Sequence, residues 1–407
     1  MNTPNKQKTK DYMIDTIVIK VWYPYFKFLK GNLFNRPLVI KDQLISRNPI
    51  TEIKRYEKYT YNPTKKEKEL HNGLPNLTVY ERLWQDNGYT YEIHIKFSIP
   101  KFLFQWSIKE VGNENFEQII ELVKLKLQKM GIEIAEESLR KAIVSSAHFC
   151  KNIELTKPKT VLEAIQQLHK SDLGKGKKKK YRDYDGDGQS LYFHTSSANI
   201  IFYDKVKEVL APQTKGSDKE DRMEIERQTL SSLDKAELPE ILRFEVRFGK
   251  QQSLDAFLSK VLGRKVSGIT FEEIFDVGLS KKILLKIWDE IADRPVNQLA
   301  LKMEQSIEDV FDTMLSGVMS GEKKKPHSLN KLLINIALYV LINKYGAGSL
   351  RNKIEKNWDE KSWKRQLKKI KESSEFMKSV PSSQIITEIQ IALDKFEKYD
   401  WKPDTHF

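Results

Sequence analysis

The stretch LYFHTSSANIIFYDKVK, residues 191–207, decides how the rest of this chain is read. Leu191-Tyr192-Phe193 and Asn199-Ile200-Ile201-Phe202-Tyr203 are rich in β-branched and aromatic residues, and the polar Thr195-Ser196-Ser197 cluster between them is a turn signal. A β-hairpin is predicted. Side chains alternate across a strand, so Tyr203 and Lys205 are expected on one face and Phe202 on the other. A phenol with a cation beside it, at the end of a strand, is a candidate nucleophile. An isolated strand tyrosine is more commonly a packing residue, so the surrounding chain carries the weight of the reading.

Other stretches repeat the hairpin's logic. In ILRFEVRF, residues 241–248, Leu242, Phe244, Val246 and Phe248 face one way and Arg243, Glu245 and Arg247 the other. Residues 89–97 set Tyr91, Ile93, Ile95 and Phe97 against Glu92, His94 and Lys96. Residues 13–22 and 149–155 add two more strands, the second with Cys150, Asn152 and Glu154 on one face. Strands are also predicted at 52–59 and 77–84, with a hairpin signal at Asp86-Asn87-Gly88. Each alternating strand has an apolar face that must be covered, most simply by helices.

Helical spacing appears at 115–130, 136–145, 159–169 and 215–236. After Gly249 it dominates, over 254–262, 271–291, 301–319, 329–344, 361–376 and 383–399. Strands first and helices later predict an α+β fold. The expected organisation is an antiparallel-sheet domain over 12–250, covered by helices, and an α-helical domain over 251–407.

The chain has 407 residues, with 70 Lys and Arg against 56 Asp and Glu, a net charge of +14. That excess favours a polyanionic partner, most simply nucleic acid. The longest apolar run, 332–342, is interrupted by Asn335 and too short to span a bilayer. The first residues carry no apolar signal-peptide core, and the single Cys150 excludes a disulfide framework and a zinc site of several cysteines. An intracellular protein without a membrane partner is expected. LGKGKKKK, residues 173–180, reads as a flexible basic loop in which Lys175, Lys177, Lys178, Lys179 and Lys180 are candidates to clamp phosphates. Residues 183–188 match the first half of a calcium loop. Position twelve is His194 and strand-like residues follow, so an acidic turn is the preferred reading.

Four patches, in this order, resemble the replication initiators of filamentous phages, the gene II/X family, and related plasmid proteins. They are MIDTIVIKV at 13–21, IHIKFSIPKFL at 93–103, FCKNIELT at 149–156, and IIFYDKVKEVLA at 200–211 followed by LRFEVRF at 242–248. The chain departs from that family in reading Gln105-Trp106-Ser107 where Gly-His-Asn is common, and it lacks the His-hydrophobic-His motif of many rolling-circle nickases. The resemblance implies a nickase of single-stranded origin DNA that works by transesterification. Tyr203 would attack one phosphodiester, leaving a 5′-phosphotyrosine link and a free 3′-OH that primes rolling-circle synthesis. Origin DNA, single-stranded or supercoiled duplex, and the host helicase and polymerase would be its partners in the cytoplasm of a bacterial cell. Lys205 would lower the phenol pKa or stabilise the charged phosphorane. A divalent ion, Mg2+ or Mn2+, would sit on His94 and Glu154, with Glu92 and Glu245 as weaker alternatives.

A second class of function competes. Residues 329–376 hold two helical patterns around Tyr345-Gly346-Ala347-Gly348-Ser349, compatible with helix-turn-helix, and KSWKRQLKKIK at 361–371 could lie on phosphates with Trp363. That reading is a DNA-binding initiator or regulator without catalysis. A tyrosine recombinase is set aside because no His-x-x-Arg occurs.

Overall fold

The structure is a computed structural model. It describes residues 13–29, 39–43, 53–84, 89–174, 178–182, 190–211, 224–275, 278–301, 309, 311–312, 329–377 and 382–401. Its strands are β1 Ile14–Trp22, β2 Phe26–Phe28, β3 Val39–Gln43, β4 Ile53–Tyr61, β5 Asn76–Trp84 and β6 Tyr89–Ser98. They continue with β7 Ile132–Ile134, β8 Ile143–Glu154, β9 Lys178–Arg182, β10 Ser190–His194, β11 Asn199–Asp204 and β12 Ile241–Phe248. Ten form one antiparallel sheet in the order β3-β4-β5-β6-β1-β8-β12-β11-β10-β9, and β2 pairs with β7. The fold is α+β, and the strands expected at 89–97, 13–22, 149–155, 241–248 and 199–203 are contiguous within the sheet as β6-β1-β8-β12-β11.

Alternation sets the two faces. Phe202 pairs with Phe244, and their rings stack at 4.7 Å between centroids. Trp288, on helix Leu279–Ala292, meets both edge-on at 6.4 to 6.5 Å. Aromatic contacts of this kind add about 0.5–1.5 kcal/mol beyond the area they bury. Helices Phe116–Lys129, Val161–His169, Gln251–Leu262, Leu279–Ala292 and Gln384–Lys395 join this apolar core. The Trp288 indole N–H donates to Gln390 Oε1 at 2.6 Å, fixing the last of these helices to the rest. Among the described residues no helix is long and apolar enough to cross a membrane.

Packing does not follow a division at residue 250. Helices on both sides of that point share the sheet's core, whereas a separate cluster is built from Pro295–Ala300, Leu329–Tyr345, Ala347–Asn357 and Glu360–Met377. Gly346 alone separates two of these helices, so the chain has no multi-residue turn there. Its φ of 76° and the close approach of the Lys170 backbone, 3.3 Å from where a Cβ would stand, both require glycine.

Other differences have local causes. Residues 143–145 are strand, not the end of the helix expected over 136–145, because Val144 and Ala147 pair with β1 and bury against it, and pairing outweighs weak propensity. The helix expected over 271–291 breaks before Gly278, whose φ of 76° is left-handed. The helix expected over 301–319 falls almost wholly outside the described residues, as does the acidic stretch 183–188. Of 215–236, residues 224–236 are described, and helix covers only Glu224–Ser231.

Candidate active site

β11 stops one residue after Tyr203. Asp204 accepts the backbone N–H of Lys207 at 2.9 Å and so caps helix Lys205–Leu210. Lys205 is therefore the first residue of a helix, not the next outward position of a strand. The expected strand spacing between Tyr203 and Lys205 is wrong, because the cap bond turns the chain. The two side chains still line one cavity of about 500 Å3. Burial pushes the Asp204 carboxyl up to about 6.

The cavity's floor is the polar face of the sheet, reached by Asp15, Lys96, Ser98, His148 and Arg247. β1 carries one extra residue between Ile14 and Ile17 relative to β8. At this bulge Asp15 accepts from Ser98 Oγ at 3.1 Å, an instance of a bulge re-aiming a side chain. One wall holds Lys101, Phe102 and Gln105, from helix Ile99–Phe104 and its cap; the opposite wall holds Lys205, Glu208, Ile225 and Gln228. Glu226 joins the walls, accepting from the backbone of Ser107 at 2.8 Å and of Ile108 at 2.9 Å. Behind the first wall, Lys126 Nζ donates to the carbonyls of Asn72 and Gly73 at 2.5 and 2.7 Å, and burial lowers its pKa to about 8.

Tyr203 is only 5% exposed. Among the described residues its hydroxyl makes no hydrogen bond. Burial drives its pKa well above the ordinary phenol value, and Glu245 adds to the rise. The phenol is therefore protonated, and attack requires a proton acceptor. Arg243 stands opposite Tyr203 in the register. Its Nε donates to Asn152 Oδ1 at 2.8 Å and its Nη2 to the Ser107 carbonyl at 2.7 Å, with Nη1 3.8 Å from Asp15 Oδ2. Burial by itself would favour a neutral Glu245. Arg247, bonded through two nitrogens at 2.8 and 3.0 Å, and His148, with Nδ1 at 3.2 Å, outweigh it and hold the carboxyl well below its usual range. His148 is thus oriented through one ring nitrogen while its side chain lines the cavity. Lys205 Nζ donates to Glu208 Oε2 at 2.9 Å.

The expected metal ligands do not meet. His94 pairs with Lys20, which pairs with Ile143 at the start of β8, and its ring is bonded to Glu92. Glu154 ends β8, where it accepts from the Tyr399 hydroxyl at 3.1 Å. Eleven residue steps at the usual strand rise put roughly 35 Å between those ends. Both residues belong to the polar face, but neither lines the tyrosine cavity, and they cannot share an ion. Among the described residues no three His, Cys, Asp or Glu side chains gather where an ion could sit. Glu208 is engaged by Lys205 and Glu245 by Arg247 with His148, and the expected ligand pair, His94 with Glu154, does not fit a Mg2+ or Mn2+ site.

Of the basic residues expected to clamp phosphates, Lys175 and Lys177 lie outside the described residues. Lys178, Lys179 and Lys180 belong to edge strand β9, not to a loop. Sequence reasoning missed His148, Lys101 and Asp15. His148 fell between an expected helix and an expected strand, and only the register of β8 with β12 brings it opposite Arg247. Comparison with family models, curated proteins and solved structures returns no match for this chain.

Proposed function

We propose that the Tyr203 cavity is a phosphodiester transesterification site, and that the protein is a replication initiator that nicks single-stranded origin DNA. The observation that carries the reading is a phenol recessed in a cavity lined by Lys96, Lys101, Lys205 and Arg247 on the polar face of an antiparallel sheet. With Lys68 the lining carries five cations against the three carboxylates Asp15, Glu69 and Glu208, an excess that suits a phosphate gaining negative charge as it is attacked. The Tyr203 oxygen bonds to phosphorus and the bond to the 3′ oxygen breaks. The phenol proton passes to a base, for which His148 is the candidate, and the leaving oxygen takes up a proton to become a 3′-OH. The products are a 5′-phosphotyrosine and a primer end, and the phosphoester bond energy is kept for rejoining.

The resemblance to gene II/X-type initiators supports the choice of DNA and of Tyr203 over Tyr192, which lies on the neighbouring strand and does not line the cavity. The test is incubation with single-stranded replicon DNA followed by a denaturing gel. A protease-sensitive covalent adduct with wild type, absent with Tyr203→Phe, is expected. Binding with no nick and no adduct replaces this reading with a DNA-binding regulator.

A further inference from the structure

The helical cluster carries a surface that the cavity does not explain. On helix Glu360–Met377, Lys361, Lys364, Arg365 and Lys368 are all exposed. Their spacing of three, four and seven residues puts them on one helical face. Lys353 and Lys356, on helix Ala347–Asn357, are exposed as well. Between the two helices stands Trp358, 73% exposed. Its position is fixed from both sides. Its backbone N–H donates to the Ile354 carbonyl at 2.9 Å, and the next residue, Asp359, caps the following helix by accepting from Ser362 N–H at 2.5 Å. A large indole held in water on a short, doubly bonded turn does no packing work.

Trp363, the aromatic that the sequence offered for phosphate contact, is 3% exposed and belongs to the cluster core. Behind it the cationic stripe borders a cleft of about 510 Å3 lined by Arg294, Arg351, Lys364 and Lys368 and by the carboxylates Asp172, Glu355 and Glu360, of which Asp172 pairs with Arg351 at 2.8 Å and Glu360 with Lys364 at 3.1 Å.

We propose that this face is a second nucleic-acid contact, in which the stripe follows the phosphates of a single strand and Trp358 stacks on one unpaired base. Charge complementarity selects a polyanion. The indole selects one with exposed base faces, since stacking on an aromatic side chain serves any sequence but requires an unpaired base. A membrane surface is disfavoured because, among the described residues of these two helices, the apolar Leu350, Trp363 and Leu367 turn into the cluster. The proposal does not depend on the chemistry assigned to Tyr203.

The test is fluorescence anisotropy of the full chain with labelled oligo(dT) over a salt series, beside co-sedimentation with anionic vesicles of phosphatidylserine and phosphatidylcholine. Trp358→Ala should weaken oligonucleotide binding about fivefold or more, with no change in thermal unfolding. Changing Lys361, Lys364, Arg365 and Lys368 together to Gln should flatten the salt dependence by about 0.7 in slope for each phosphate that is no longer neutralised. Unchanged affinity and slope in both variants overturns the proposal. Loss of vesicle binding in Trp358→Ala with oligonucleotide binding intact also overturns it, in favour of a membrane contact. Adduct formation by Tyr203 is read separately on a denaturing gel, so either conclusion can fail alone.

Discussion

Tyr203 and Arg243 are direct cross-strand partners in β11 and β12, so a buried phenol and a guanidinium 1% exposed share one face of the sheet. The guanidinium hydrogen-bonds two elements, Asn152 on β8 and the Ser107 carbonyl in the cavity wall, while its Nη1 stands 3.8 Å from Asp15 at the β1 bulge.

Arg243→Met should therefore destabilise the protein by about 3 kcal/mol, because it leaves buried acceptors unpaired. Arg243→Lys should fall between the two, keeping the charge but losing the planar fork. Urea unfolding at neutral pH measures both. A loss under about 1 kcal/mol for Arg243→Met would show that these bonds contribute little net energy.

Asp204 should make stability fall as pH rises. Its folded-state pKa is raised by burial from 3.8 to about 6, so the folded chain holds the proton more tightly than the unfolded one. The contribution is complete below the unfolded value and is lost as pH climbs through about 6, a swing on the order of 3 kcal/mol. Asp204→Asn keeps an oxygen to accept the Lys207 N–H and removes the charge. Denaturant midpoints taken from pH 4 to pH 7 should show this variant flatter than wild type and more stable at pH 7. Parallel profiles would mean that the carboxyl titrates alike in both states.

His94→Ala and Glu154→Ala should each leave adduct formation, and any response of it to Mg2+, unchanged, since Glu154 ends β8 whereas His94, on β6, is aligned through Lys20 with the start of β8. Glu154→Ala should cost no more than about 1 kcal/mol, the worth of its bond from Tyr399. Loss of the Mg2+ response in both variants would contradict the register of β6, β1 and β8.

Alternation made the centre of the sheet legible. In residues 241–248 every second side chain is apolar, and the strand spans those residues without a shift at either end. The edges were less readable. The sequence of Lys178–Arg182 shows no alternation of apolar and polar residues, yet β9 forms by pairing with β10. The short β2 and β7 are three residues each, below the length at which periodicity can be seen. At the site, Tyr203 could be found from its strand and from its match to a family pattern. The capping role of Asp204 was available in the sequence, since an N-cap residue followed by Val206, Val209 and Leu210 at helical spacing is a start signal. His148 and Asp15 were not recoverable, because one depends on long-range register and the other on a bulge. The pairing of His94 with Glu154 failed for a related reason. Polarity on a strand shows which face a residue takes, and how far along the sheet it lies is set by pairing between distant segments.

The helix Gln384–Lys395 has a consequence for how this molecule is made. It supplies Ile385, Ile386, Ile389 and Leu393 to the same core that β1 enters from the other end of the chain, with the cluster of helices between 295 and 377 emerging in between. A ribosome releases the chain from its first residues onward, so the sheet is synthesised long before the helix that finishes its cover. Until residue 396 has emerged, part of an apolar sheet face remains bare. Native contacts of such long sequence separation also form slowly. The nascent protein therefore passes through a stage in which a holding chaperone has a well-defined patch to recognise, and ribosome-stalled chains ending before and after residue 396 should differ sharply in their retention by one.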